Sequence, residues 1–190
     1  MKIVITGNIA SGKSTLIDWL QKNPKDSCVI DADLIVHELY KTQALQDILS
    51  NTFGKEVISP DLQVNRKYLG NIVFKNKAQL DQLNSITQEP IRLALETQIN
   101  KQQELFPIVF LEATLAVERD WLDYFDYSIC VICPEDIRLK RLMQRNKLSK
   151  EDAQLRIHSQ IPQEDKARAC DFTLNNKSSQ KELISQFKNI

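Results

Sequence analysis

Gly7-Asn8-Ile9-Ala10-Ser11-Gly12-Lys13-Ser14 forms a complete GxxxxGK[ST] loop, set between two segments that dictate how it folds. Ahead of it, Met1-Lys2-Ile3-Val4-Ile5-Thr6 reads as a buried strand. Behind it, Ser14-Thr15-Leu16-Ile17-Asp18-Trp19-Leu20 reads as the first turns of a helix. At average residue usage the motif arises by chance in roughly one chain in a hundred of this length. This chain holds only four glycines and places two of them here, so chance is rarer still. The glycines let successive backbone N–H groups point inward, and the helix N-terminus adds partial positive charge. Lys13 then reaches the β- and γ-phosphates, and the Ser14 hydroxyl is offered to magnesium. The bland alternative is an ordinary strand–turn–helix. The complete motif in the required context favours a nucleoside triphosphate.

The rest of the chain extends this start into an α/β fold. Short apolar runs at Lys2–Thr6, Cys28–Asp31, Ile108–Ala113, Tyr127–Cys133 and Phe172–Leu174 alternate with helical patterns, which predicts a parallel five-stranded sheet flanked by helices. Ser149-Lys150-Glu151-Asp152 and Ser179-Gln180-Lys181-Glu182 have the spacing of capping boxes that open helices. Leu183, Ile184 and Phe187 then share one face of the last helix. The interval between the second and third strands, residues 34–107, is too long for a simple crossover. Leu80, Leu83, Ile86, Ile91, Leu95 and Ile99 recur there at helical spacing. It reads as a helical insert within one domain, either buttressing the sheet or carrying a second substrate beyond the carboxyl ends of the strands.

Composition narrows the partners. Lysine plus arginine equals aspartate plus glutamate at 25 each, which argues against a bulk electrostatic partner such as duplex DNA or an anionic membrane. No apolar run approaches the roughly 18 residues of a spanning helix. The expected setting is cytoplasmic, with the four cysteines reduced. Cys130 and Cys133 make a CxxC, but it lies in a core-strand pattern without a second CxxC, so buried thiols are a better reading than zinc or redox chemistry.

Three groups of residues carry chemistry. Asp31-Ala32-Asp33 closes the second strand, where a phosphoryl-transfer enzyme needs a carboxylate to orient the attacking hydroxyl. An aspartate near its ordinary pKa of about 3.9 is a weak base, so its service is positioning and late proton acceptance. One of the two instead caps the following helix on the alternative reading. Glu112 ends the third strand, placed either to reach magnesium through water or to make a structural hydrogen bond. Arg138, Arg141 and Arg145 form a stripe opposite Leu139, Leu142 and Met143, with Lys147, Lys150 and Arg156 extending the charge. A solvated face explains any one of them. The group suits a lid that closes over the triphosphate, since a planar guanidinium matches phosphate oxygens.

These residues together resemble the dephospho-coenzyme A kinase family over essentially the whole chain. The matching stretches are Thr6-Gly7 through Thr15, Asp31-Ala32-Asp33-Leu34-Ile35-Val36-His37, Asn65-Arg66-Lys67-Tyr68-Leu69 with Val73-Phe74, and Leu83-Asn84-Ser85-Ile86-Thr87. Later come Arg141-Leu142-Met143-Gln144-Arg145, Arg156-Ile157, Gln160-Ile161-Pro162-Gln163-Glu164-Asp165-Lys166, and Asp171 followed by Asn175 and Asn176. The phosphate loop is common to many families. The Asp-Ala-Asp and Gln-x-Pro-x-Glu-x-Lys segments together are far more specific.

The resemblance implies a P-loop kinase that transfers the ATP γ-phosphoryl group to the ribose 3′-hydroxyl of dephospho-CoA, giving ADP and CoA. It implies a nucleotide-binding core of residues 1–33, 108–135 and 167–190, a helical acceptor domain at 34–107 and a lid at 136–166. Asp33 matches the catalytic base, with Lys13, Arg141 and Arg145 acting on the transferred group. Gly7, Asn8, Ala10, Ser11, Gly12, Lys13, Ser14 and Thr15 match the phosphate and magnesium binders, Ser14 being the metal ligand. Asn175 and Asn176 fall where the family contacts adenine, and Asp31, His37, Arg66, Asn84 and Glu112 fall on the acceptor side. Expected partners are ATP, Mg²⁺ and dephospho-CoA, without nucleic acid or membrane, in a monomer or weak homo-oligomer.

The chain departs from the family at points. Asn8 and Ala10 stand where the loop usually has glycines, Thr87-Gln88-Glu89-Pro90 replaces Thr-His-Pro, and Thr114 replaces a proline. A nucleoside monophosphate kinase shares the loop and lid but predicts a small acceptor site. A GTPase is disfavoured: no Asp-x-x-Gly precedes Gly54 or Gly70, and neither Asn146-Lys147-Leu148-Ser149 nor Asn176-Lys177-Ser178-Ser179 ends in the aspartate that reads guanine. A degenerate kinase that only senses CoA or ATP would draw on the missing histidine and glycines. The retained Lys13, Ser14, Asp33 and lid arginines oppose it.

Overall fold

Five apolar runs form five strands among the residues described by the computed structural model, 1–73 and 75–190. Phe74, part of one stretch that carries the family resemblance, lies outside the described residues. The strands are β1 (Lys2–Thr6), β2 (Ser27–Asp31), β3 (Ile108–Glu112), β4 (Tyr127–Ile132) and β5 (Phe172–Asn175). They pair in parallel in the order β2-β3-β1-β4-β5. Strands covered on both faces need near-continuous apolar side chains. Val4, Ile5, Leu111 and Val131 accordingly have no exposed surface. Each predicted strand agrees with the observed one to within a residue.

Because β1 is central, the loop that follows it opens at the carboxyl edge of the sheet, flanked by the ends of β3 and β4. Helix α1 (Lys13–Lys22) follows this loop and buries Leu16, Ile17 and Leu20 on the sheet. The C-terminal helix, Gln180–Phe187, buries Leu183 and Ile184 in the same core, and its Phe187 ring meets Trp19 at 5.8 Å and Phe110 at 6.1 Å. Its start is fixed by Ser179 Oγ, which accepts from Glu182 N at 3.2 Å. The other predicted cap holds equally: Ser149 Oγ accepts from Asp152 N at 3.0 Å.

The chain divides into two compact units, one of residues 1–31 and 101–190 and one of residues 32–100. The second contains α2 (Ala32–Leu39), α3 (Gln43–Phe53), α4 (Arg66–Val73) and most of α5 (Lys77–Gln103). Leu45, Leu49, Val57, Leu69 and Val73 form its core, with Leu80, Leu83 and Ile86 of α5 packed against them. The helical spacing of these leucines and isoleucines thus reports a real apolar stripe. An apolar groove of about 690 Å³ lies between α2 and α5, lined by Leu34, Leu39, Pro90 and Leu93 among others. No helix among the described residues is long and apolar enough to cross a membrane.

Candidate active site

The phosphate loop needs glycine at both fixed positions for steric reasons. At Gly7 (φ +140°) a Cβ would stand 2.2 Å from the Val131 carbonyl oxygen, and at Gly12 (φ +97°) it would stand 1.9 Å from Asn176 Nδ2. Ala10 also adopts a left-handed conformation, with φ +60°. For an alanine that costs about 1–2 kcal/mol. Lys13 is buried, and its Nζ donates to Gly7 O at 2.7 Å, so the ammonium is held over the loop. Helix α1 starts with no side-chain cap and no acidic residue in its first turn. Its leading amides and the positive end of its dipole are thereby suited to an anion.

Ala10, Gly12, Ser14 and Thr15 share a cleft of about 510 Å³ with Arg141, Gln144 and Arg145. The three latter residues belong to α6 (Glu135–Asn146). Leu142, fully buried against Ala153 and Ile157 of α7 (Lys150–His158), fixes the rotation of α6. The Arg141 Nη1 group lies 3.4 Å from Ser11 O and 3.5 Å from Cys133 Sγ. Arg145 is exposed, its Nε donating to Asn146 Oδ1 at 2.9 Å. The predicted stripe is graded in exposure: Arg138 is only 4% exposed, and its Nε and Nη1 have no hydrogen-bond partner among the described residues.

Several side chains brace this cleft from behind. Asn176 is buried and donates from Nδ2 to Ser11 O at 2.8 Å. Neighbouring Asn175 is half-buried, and its backbone N donates to Gln186 Oε1 at 2.9 Å. Cys133 Sγ donates to Asn176 O at 3.2 Å; burial pushes its thiol pKa up, while Arg141 and Arg138 pull it down. The neighbouring Cys170 and burial push the Cys130 thiol pKa up, so the two cysteines of the CxxC sit in different surroundings.

A second set of contacts was not readable from the sequence. The segment between α7 and α8 (Gln163–Ala169) touches the loop directly: Ile9 N donates to Gln160 Oε1 at 2.7 Å, and Asn8 Nδ2 donates to Ile161 O at 2.8 Å. Cys133 N donates to Gln163 Oε1 at 3.2 Å. Lys166, fully buried, donates to Thr114 O at 2.7 Å and pairs with Glu118 at 2.9 Å. Lys166 therefore ties down the loop after β3, whose Thr114 oxygen also accepts from Thr6 Oγ1 at 3.2 Å. In the sequence the segment stands out only through its resemblance to the family's Gln-x-Pro-x-Glu-x-Lys stretch.

The carboxylates fall in two groups. Asp31 and Glu112 are register partners at the ends of β2 and β3. Asp33 and His37 are exposed on α2 of the helical unit. In that unit Arg66 sits over the Tyr40 ring, its Cζ 4.9 Å from the centroid, and Asn84 lies half-buried on α5.

A parallel sheet, a GxxxxGKS loop turning from its central strand into a helix, and guanidiniums across the phosphate cleft together define a P-loop kinase. The family model for dephospho-CoA kinase matches residues 1–182. A dephospho-CoA kinase from Latilactobacillus sakei is 37% identical over 188 residues, covering 98% of this chain and 92% of that protein. The structure of a dephospho-CoA kinase from Campylobacter jejuni superposes with a TM-score of 0.70 at 31% identity, covering all of both chains. A Thermus thermophilus protein, TT1252, superposes with a TM-score of 0.83 at 28% identity, covering 100% of this chain and 95% of its own. The chain belongs to the dephospho-CoA kinase family.

Proposed function

We propose a division of labour among these residues for the family reaction, in which the ATP γ-phosphoryl group passes to the 3′-hydroxyl of dephospho-CoA to give CoA and ADP. One observation carries the reading: the phosphate loop and the lid arginines line a single cleft. Gly7, Asn8, Ala10, Ser11, Gly12, Lys13 and Thr15 cradle the triphosphate through backbone amides and the Lys13 ammonium. Arg141 and Arg145, on a lid of residues 136–166, neutralise charge that builds on the transferring group. Asn176 supports the adenine side of the site from its place against Ser11, with Asn175 beside it.

The donors at the strand ends suit magnesium. Mg²⁺ takes oxygen ligands, keeps several waters and shares the substrate phosphates rather than entering an all-protein cage. Ser14, exposed at the start of α1, offers a hydroxyl, and Asp31 and Glu112 offer adjacent carboxylates to its hydration shell. When bound, the ion neutralises the phosphate oxygens.

In the helical unit, Asp33 orients the acceptor hydroxyl and takes its proton as the new O–P bond forms, while ADP leaves. His37, Arg66 and Asn84 bind the remainder of dephospho-CoA, and Arg66 is the residue suited to its phosphates. The same reading includes a cytoplasmic setting and a monomer or weak homo-oligomer. The test is ADP release with ATP, Mg²⁺ and either dephospho-CoA or AMP as acceptor. Turnover with dephospho-CoA alone is expected. Turnover with AMP instead would move the acceptor assignment to nucleoside monophosphates, and silence with both would reduce the protein to a binder.

A further inference from the structure

We propose that Gln160 is a positioning residue for phosphoryl transfer: by accepting the Ile9 N–H it holds the phosphate loop in shape around the strained Ala10. A non-glycine residue persists in the left-handed region only where its surroundings over-determine it. At Ala10 (φ +60°) the turn is closed internally by Ser11 N donating to Asn8 O at 3.1 Å. From outside, Arg141 Nη1 lies 3.5 Å from Ala10 O, Asn176 Nδ2 donates to Ser11 O at 2.8 Å, and the residues ahead of Ala10 are held by one short stretch. Gln160 Oε1 accepts from Ile9 N at 2.7 Å, and Ile161 O accepts from Asn8 Nδ2 at 2.8 Å. Asn8 Oδ1 is buried with no hydrogen-bond partner among the described residues, so the bond to Ile161 is what fixes that side chain.

The stretch is itself a firm post. On one side Ile157 of α7 is buried against Leu142 and Ala153. On the other, Gln163 accepts from Cys133 N, and the fully buried Lys166 holds Thr114 O and Glu118. Neither Gln160 nor Ile9 lines the cleft, so Gln160 acts through the loop and not on the nucleotide. Because it emerges where α7 ends, it also links the loop mechanically to the lid helices.

The inference rests on the loop being the ATP site, and the experiment separates the two. ATP dissociation constants are measured by calorimetry for the full chain and for Gln160→Met and Gln160→Glu, each also with Ala10→Gly. Gln160→Met keeps the side-chain length but loses the acceptor, and is expected to weaken ATP binding about tenfold, equivalent to ~1.4 kcal/mol. Gln160→Glu keeps an acceptor and should stay within about threefold of the parent. With Ala10→Gly the strain is gone, and Gln160→Met should then cost about twofold or less. Gln160→Ser must follow the pattern of Gln160→Met, with circular dichroism confirming that each variant is folded. Unchanged affinity in Gln160→Met, or an equal loss in both backgrounds, overturns the proposal. A parent chain that does not bind ATP overturns the underlying site assignment instead.

Discussion

Gly12→Ala is the substitution whose cost follows most directly from the packing around the phosphate loop. A methyl group at this position would stand 1.9 Å from Asn176 Nδ2, closer than any real carbon–nitrogen contact. The Asn176 side chain, only 3% exposed, must then leave and break its 2.8 Å bond to Ser11 O. Loss of a buried hydrogen bond of this kind costs about 1–3 kcal/mol. The backbone at φ +97° adds about 1–2 kcal/mol for a residue with a side chain. The sum, about 2–5 kcal/mol, is a large share of the 5–15 kcal/mol typical of a folded domain. Urea unfolding followed by circular dichroism measures it. In an Asn176→Ala background the clash disappears, and Gly12→Ala should cost only the backbone part, about 1–2 kcal/mol. An equal cost in both backgrounds, or a loss below about 1 kcal/mol in the parent, refutes the steric argument.

Other outcomes test the remaining roles. Asp33→Asn should lower kcat by about 10²–10⁴ while leaving ATP affinity intact, and near-normal turnover would remove Asp33 from the mechanism. Arg141→Ala should cost about 10³ in kcat, whereas a rise confined to the KM for ATP would make Arg141 a ground-state binder. Hydrogen bonds from the Ser128 hydroxyl and amide hold the Asp171 carboxyl below the usual carboxylate range. A depressed carboxylate stabilises the fold above its unfolded pKa of about 3.9 and loses that contribution as pH falls through the lower folded value. The stability gap between the parent and Asp171→Asn should therefore be steady from about pH 7 to 5 and shrink below about pH 4. A gap that persists undiminished in strong acid would show that the ionised carboxylate is not its source.

What the sequence revealed was whatever rested on local chemistry. Strands announced themselves because both faces of a parallel sheet are covered, leaving no polar alternation to dilute runs such as Ile3-Val4-Ile5. Ser149 and Ser179 were recognisable as caps because each binds an amide three residues away. The loop motif was legible for the same reason. The brace was not: Gln160 meets Ile9 and Asn176 meets Ser11 across most of the chain, through backbone groups that every residue possesses. Arg138 shows the same limit. Helical spacing put it in a stripe with Arg141 and Arg145, but only tertiary packing decided that it would be buried. Likewise, nothing local in Lys166 distinguishes a buried lysine paired with Glu118 from a solvated one.

The strand order also sets a timetable for folding. β1 is the first strand to be synthesised and the middle one of the sheet, yet its neighbours are β3 and β4, so Lys2 must wait for Val109 and Ile3 for Tyr127. The helices of residues 32–100 rely on contacts much nearer in sequence and emerge in the interval. Contacts that close long loops form slowly, and local ones form fast. On the ribosome the helical unit can therefore mature first, while β1 and β2 remain unpaired apolar segments until Ile108–Glu112 has emerged. Ile9 of the phosphate loop precedes Gln160 by 151 residues, so its bond to that segment forms only after the whole stretch between them has been synthesised.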